Sequence, residues 1–411
     1  MRKIIILFFF IVVFFSLSAQ DTTRKDKGKF IEYKAGYYQN SILKGIENYD
    51  NSKSVIETKK YLSVETSNII SPASPDDFKK QWCNVPLSQG NSGTCWSFAT
   101  TSLLESEIFR ISGKKIKLSE LYFVYWEYVE RAKYFVEHKG DCYLGEGSEA
   151  SAFRRLMTQY GIMPDTIYSG MLKGQTVIDH EKLFSEYENY LKYVKAESLW
   201  DSATVVNTVK SILNSYMLKP PSEFNFEGKK YSPISFMNDY CKIIPNDYFS
   251  FMSDNKSTFN QHAELVEDDN WWHCSDYYNV SADDFMTIVN EALNDGYTIS
   301  ICGDFSEPGI DKQKQIMFVP TFDIPANEIN DDARQLRLSN ESTTDDHCVH
   351  LIGYTEKDGV KWYLIKDSSA GAFDGKYQGY RYMREDYVKL KMMNLFLYKY
   401  GAKKILDKII K

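Results

Sequence analysis

The sequence lacks several things that would each declare a function. It has no run of basic residues interleaved with aromatics, and its 49 Lys and Arg are outnumbered by 56 Asp and Glu, for a formal net charge of −7. That balance gives no reason to expect a nucleic-acid partner. With six His and seven Cys in 411 residues, no cluster falls at zinc-like spacing, so no metal and no cofactor is expected. Internal repeats and low-complexity stretches are absent, which excludes solenoid arrays and largely disordered chains. Long apolar runs are also missing, with one exception: Ile4 to Phe15, preceded by Arg2 and Lys3 and followed by Ser16, Leu17, Ser18 and Ala19. A membrane-spanning helix needs about 20 apolar residues. Residues 1–19 therefore read as a secretory signal peptide, cleaved near Ala19-Gln20, with an uncleaved anchor as the weaker reading. The expected chain is exported, periplasmic or extracellular, with no stable membrane insertion after cleavage.

The cysteines, at 83, 95, 142, 241, 274, 302 and 348, are odd in number, so full pairing leaves at least one thiol free. Their spacing shows no compact disulfide framework and singles out no pair.

What is present is a composition for a large core. Hydrophobic side chains make up 43% and aromatics 15%, with 30 Tyr and 25 Phe, which suits an aromatic-lined interior or a peptide-binding cleft. Residues 20–80 are polar and end in the breaker run Ser71-Pro-Ala-Ser-Pro-Asp-Asp77, an N-terminal arm or pro-segment. Residues 81–170 read as a helical lobe, with helices over 118–136, capped by Ser119, and 151–160, stopped by Gly161 and Pro164. Residues 171–280 read as a mostly helical, polar insertion. Residues 281–411 turn β-rich: a helix over 282–293 leads into Tyr297 to Cys302, and Val349 to Tyr354 pairs with Lys361 to Lys366 across a glycine-bearing turn. A helical half followed by a β half implies an α+β fold in two lobes.

The stretch from Gln89 to Arg110, QGNSGTCWSFATTSLLESEIFR, carries the first chemical signal. Its left half is small and polar, with Gly90 and Gly93 free in backbone conformation and Ser92 or Thr94 suited to capping. From Cys95 onward Trp96, Ala99, Leu103, Leu104 and Ile108 recur at helical spacing. Cys95 thus falls at a helix N-terminus, where free amides and the dipole favour a thiolate. A small core hydrophobe is the alternative at this point.

A nucleophilic Cys needs a base. His138, His180, His262 and His273 lie in charged or helical surroundings and read as solvated. His347 opens a strand after the loop Glu341 to Asp346, where a sheet can hold a ring facing a cleft. His350 follows three residues on and points to the opposite face. The next strand ends in Lys366-Asp367-Ser368-Ser369, and Asp367 either orients the imidazole or forms a turn.

The segment Gln89-Gly-Asn-Ser-Gly-Thr-Cys-Trp-Ser-Phe98, the strand opening at His347, and Tyr363-Leu-Ile-Lys-Asp-Ser368 occur in the order found in papain-type cysteine peptidases, which the chain resembles. The resemblance implies a papain-like two-lobe fold, helical lobe plus β-barrel-like lobe. It implies Cys95 as nucleophile, His347 as general base and acid, Asp367 as the imidazole-orienting residue and Gln89 as side-chain donor of the oxyanion hole. Gly145 and Gly147, with Ser148 beside them, match the family's loop along bound peptide, where a plain turn is the alternative. Ser92 stands where secreted papain-like enzymes usually carry a disulfide-bonded Cys. LSELYFVYWEYVERAKYF, GEGSEASAFRRLMTQYGIMP, LKPPSEFNFEGKKYSPISFMNDY and EALNDGYTISICGD are instead similar to the bleomycin hydrolase and aminopeptidase C branch. That branch implies peptide substrates, aminopeptidase action ahead of endopeptidase action, and a homo-oligomer, a hexamer. In it the C-terminal tail enters the cleft and restricts action to chain ends. This chain departs by ending in a lysine-rich, helix-compatible tail. It also has Asp367-Ser-Ser-Ala where the family has Asn-Ser-Trp-Gly. The departure implies a His347 held charged to higher pH, and a hydrogen bond more open to water. It also leaves a catalytically silent binding protein on the same scaffold as a further alternative.

Overall fold

The computed structural model describes residues 32–53 and 62–410; the expected signal peptide lies outside them. The chain divides into a unit ending at Tyr61 and a unit beginning at Leu62. In the first, a π-helical turn Tyr38–Leu43 runs into a helix Lys44–Lys53, and residues 32–50 are exposed. The arm expected over 20–80 is therefore divided. Its last part belongs to the second unit: Val64 N donates to Pro308 O at 3.1 Å, and Thr66 Oγ1 to Asp311 Oδ2 at 2.6 Å.

In the second unit eleven strands form one mixed sheet. They are β1 Lys79–Lys80, β2 Tyr248–Met252, β3 Gln261–Ala263, β4 Tyr277–Asn279, β5 Ile299–Gly303, β6 Ile310–Asp311, β7 Ile316–Met317, β8 His347–Lys357, β9 Val360–Lys366, β10 Tyr380–Arg384 and β11 Met392–Tyr398. The order is β3-β4-β2-β11-β5-β8-β9-β10-β7-β6, with β1 on β8. The expected hairpin is β8–β9, closed by Asp358-Gly359, both at positive φ, as a two-residue turn between twisted strands requires. Three strands of this sheet, β2 to β4, lie within 171–280, expected to be mostly helical. Tyr248-Phe-Ser-Phe-Met252 follows Pro245 and is rich in strand-favouring aromatics; paired with β11 it extends the sheet.

The principal helices of this unit are α1 Cys95–Ser112, α2 Glu120–Glu137, α3 Ala152–Tyr160, α4 Glu181–Ala196, α5 Ser202–Met217, α6 Ala282–Asn294, α7 Asp331–Ser339, α8 Glu385–Lys391 and α9 Lys403–Ile409. Helix α2 starts where the sequence predicts, with Ser119 Oγ accepting from Tyr122 N at 3.0 Å. Thr94 precedes α1 but caps it with its carbonyl, because its hydroxyl is bonded to Ser92 Oγ.

The period-two alternation of β8 divides the core. Cys348 joins the cluster around Trp96, Leu103, Phe123 and Phe153, while Val349 and Leu351 join the cluster around Phe285, Val289 and Leu395. Helix α1 lies on the first face and α6 on the second, and residues 96–108 of α1 are buried all round. The cysteines add a pairing that the spacing left open: Cys302 on β5 and Cys348 on β8 are directly opposed and form a disulfide. The pairing was invisible in the spacing because antiparallel register, not sequence distance, brings them together.

Candidate active site

Helix α1 begins at Cys95, so the thiol stands where helical amides have no intrahelical acceptor. Before it, Gly90 adopts φ 65°, and a Cβ there would fall 2.2 Å from Ile178 O. The close approach lets residues 178–180 clamp the loop. Asn91 N donates to Ile178 O at 2.8 Å, His180 N to Asn91 O at 3.0 Å, and Asn91 Nδ2 to Asp179 Oδ1 at 2.9 Å. From the other side Gly93 N donates to Glu146 Oε2 at 2.8 Å.

His347 opens β8 with its ring 8% exposed. Its Nε2 lies 2.7 Å from Asp367 Oδ1, leaving Nδ1 for the Cys95 thiol, which hydrogen-bonds the ring. Burial alone would hold the imidazole neutral, but the Asp367 carboxylate and the Cys95 sulfur outweigh it and push the pKa up to about 10. Burial likewise opposes ionisation of Asp367, yet His347 and then Arg381 pull its carboxyl down to about 2.

Asp367 is 1% exposed, so the expectation that losing the family's Trp admits water to this bond is not met. Phe305 sets its ring edge-on to His347, with centroids 4.7 Å apart, and buried Arg381 brings Nε to 3.4 Å from Asp367 Oδ2. Arg381, on β10, was missed from sequence; it is the cation that balances an Asp where the family has a neutral Asn.

Gln89 is held on both sides. Its Nε2 donates to Ser92 O at 2.6 Å, its Oε1 accepts from Ser368 Oγ at 2.7 Å, and its backbone N donates to Ser368 O at 2.9 Å. The Ser92 carbonyl requires N–H on that side, which fixes the orientation of the Gln89 amide.

The glycine loop is less open than expected. Arg131 donates to the carbonyls of both Gly145 and Gly147, and Asp269 packs on Gly147 so closely that a Cβ would fall 2.0 Å from its Oδ2. Ser148 is buried with Oγ 2.7 Å from Glu127 Oε1, so its hydroxyl supports the loop from inside instead of meeting substrate.

Of the remaining histidines, His350 faces away as expected and bonds Ser102 Oγ at 2.8 Å, with burial pushing its pKa well down. His180, expected to be solvated, is 3% exposed beside Glu146, and burial lowers its pKa to about 4. Its charged sequence neighbours hid its place under the nucleophile loop. Among the described residues the only metal-type grouping is Glu149 with Cys302 and Cys348, and the disulfide occupies both sulfurs.

The chain is similar to known peptidases at several levels. Residues 32–140 match the Peptidase C1-like family. Cysteine proteinase 1, mitochondrial, of Saccharomyces cerevisiae is 22% identical over 286 residues, 58% of each chain. Probable cysteine protease RD19B of Arabidopsis thaliana is 33% identical over 28% of this chain and 32% of its own length. The chain thus spans a little over half the length of the yeast relative it matches. In fold it is similar to the crystal structure of PepW from Lactobacillus rhamnosis HN001, with a TM-score of 0.64, 15% identity, and coverage of 97% of this chain and 94% of that one. The two-lobe α+β architecture is therefore papain-like. The chain is thus similar to papain-type cysteine peptidases, in sequence over part of its length and in fold over nearly all of it.

Proposed function

We propose that the chain hydrolyses peptide bonds through a Cys95 thiolate and a His347 imidazolium. The observation that carries this reading is the chain of contacts from Cys95 to His347 to Asp367 at a helix N-terminus. In this reading the sulfur attacks the peptide carbonyl, and the Cys95 amide and Gln89 Nε2 receive the developing oxyanion, worth about 3 kcal/mol per donor. His347 gives its proton to the leaving amine, then takes one from the water that cleaves the thioester. Because Asp367 holds the ring charged, proton donation is the step it opposes and thiolate stabilisation the one it favours.

Aminopeptidase action is the first specificity, from the branch resemblance. Endopeptidase action is the second, and one observation favours it. The tail up to Ile410 is fastened to α6, with Ile405 and Leu406 buried, Lys404 on Glu291 at 2.7 Å and Lys408 on Asp284 at 2.6 Å. That helix packs on the sheet face opposite α1. Comparing aminoacyl amides with amino-blocked peptides, with Cys95→Ala as control, separates the two. No hydrolysis of either by the native chain would sink the peptidase reading and favour a silent binding protein.

Export through residues 1–19 is part of the proposal, tested by whether the secreted form begins near Gln20. No helix of the described residues is long and apolar enough to cross a membrane. A hexamer rests on the branch resemblance alone, and sedimentation of the purified chain tests it.

A further inference from the structure

Next to the strand that opens at His347 the structure gathers carboxyl groups that hydrolysis does not use. Asp345 stands two residues before His347, and Glu149 follows the glycine loop. Asn394, on β11, joins them: its Nδ2 donates to Glu149 Oε2 at 3.0 Å and to Asp345 Oδ2 at 2.7 Å. Asn394 and Glu149 are each 1% exposed. Burial first, and then their acidic neighbours, push Asp345 well up and Glu149 up to about 8; those acting on Asp345 include Glu267, Asp269 and the Cys95 sulfur. The same two causes raise Glu267 to about 7. The group is thus within electrostatic reach of the nucleophile.

A second observation points to what is missing. The Oδ1 atom of Asn394 is buried without a hydrogen-bond partner, although the same amide serves both carboxyls with its nitrogen. An orphaned buried acceptor costs about 1–3 kcal/mol, and carboxyls that burial shifts toward the protonated form ionise when a cation is brought to them. Among the described residues no Lys or Arg forms an ion pair with Glu149 or Asp345. An adjoining cavity of about 840 Å³ reaches this corner through Thr344 and Met393, the neighbours of Asp345 and Asn394, and its wall carries six carboxyl groups against two lysines. A group that brings positive charge and several N–H donors answers all of these demands at once. An ammonium has three such donors and a guanidinium five.

We propose that Glu149, Asp345 and Asn394 form a subsite for a positively charged group of the peptide substrate, so that the chain selects cationic substrates. The subsite rests on the peptidase reading above. Two sources supply the same chemistry: the α-ammonium of a first residue, or a Lys or Arg side chain further along the peptide. An α-ammonium lies close to the scissile carbonyl and a side chain farther off, so substrates distinguish them.

The test uses the full chain and two pairs of fluorogenic amides at neutral pH. The first pair is a leucyl amide with its amine free or acetylated. The second is acetyl-Lys-Leu-amide against acetyl-norleucyl-Leu-amide. At least one pair is expected to favour its charged member about tenfold or more in kcat/KM, and Glu149→Gln or Asp345→Asn to shrink that ratio toward one. Discrimination in the first pair assigns the α-ammonium, and in the second the side chain. Native ratios within about twofold of one in both pairs, with all four substrates cleaved, would overturn the subsite and leave the peptidase standing. No cleavage at all, together with no labelling of Cys95 by a neutral epoxide, would overturn both. The native ratios need no variant to fold.

Discussion

Arg381 Nε stands 3.4 Å from Asp367 Oδ2 in a buried ion pair, while the other oxygen of the same carboxylate meets His347 Nε2 at 2.7 Å. One carboxylate thus serves two cations, one structural and one catalytic in the proposed mechanism. The predictions below begin from that sharing.

Asp367→Asn removes the charge that lifts His347 to about 10. The imidazolium then loses its proton at lower pH, so the alkaline limb of the kcat/KM profile moves down by about a unit or more, with substantial turnover kept. Arg381→Met acts oppositely, since removing a repelling cation lets the imidazolium persist and moves the limb up. Profiles of both variants check the signs, and complete loss of activity in Asp367→Asn would give that residue another role.

The pair also links to stability. His347, raised, contributes stability that is full below its unfolded value of about 6.5 and lost as pH rises through about 10. Asp367, lowered, contributes stability present above its unfolded value of about 3.9 and lost as pH falls through about 2. The unfolding midpoint of the native chain should exceed that of His347→Ala most between about pH 4 and 6.5. Arg381→Met alone should cost about 3–5 kcal/mol, and less when combined with Asp367→Asn than the two single costs summed. Urea unfolding of the four forms measures the coupling.

Ser368 Oγ holds the Gln89 amide by its oxygen. Ser368→Ala forfeits about 1 kcal/mol of that positioning, a fall of about five- to tenfold in kcat/KM with the pH limbs unmoved. Gln89→Ala should cost about 10²–10³. An unchanged kcat/KM in Ser368→Ala would mean that Gln89 is held without it.

The Cys302–Cys348 bridge closes a 46-residue separation. Replacing both cysteines by Ala should lower stability by about 2–4 kcal/mol, read as a shift of the urea midpoint. A reductant should reproduce that shift in the native chain and leave the variant unmoved.

The parts legible in the sequence were those set by local chemistry. The start of the Cys95 helix, the Ser119 cap, the β8–β9 turn at Asp358-Gly359 and the opposite faces of His347 and His350 follow from spacing and turn residues. What escaped lay in tertiary register. Cys302 and Cys348 meet across strands, Arg381 reaches Asp367 from another strand, and His180 lies buried under the nucleophile loop despite charged neighbours. Asn394 joins Glu149 to Asp345 across 245 and 49 residues. Ser148 escaped differently: the resemblance set it on a loop along bound peptide, but its hydroxyl turns inward to Glu127.

The most direct test of the central claim is reaction of the folded chain with a peptidyl epoxide at neutral pH, followed by mapping of the adduct. The account predicts a single adduct on Cys95, absent from Cys95→Ala, slowed in His347→Ala, and not found on Cys83, Cys142, Cys241 or Cys274. Labelling that spares Cys95, or proceeds equally fast without His347, would contradict it.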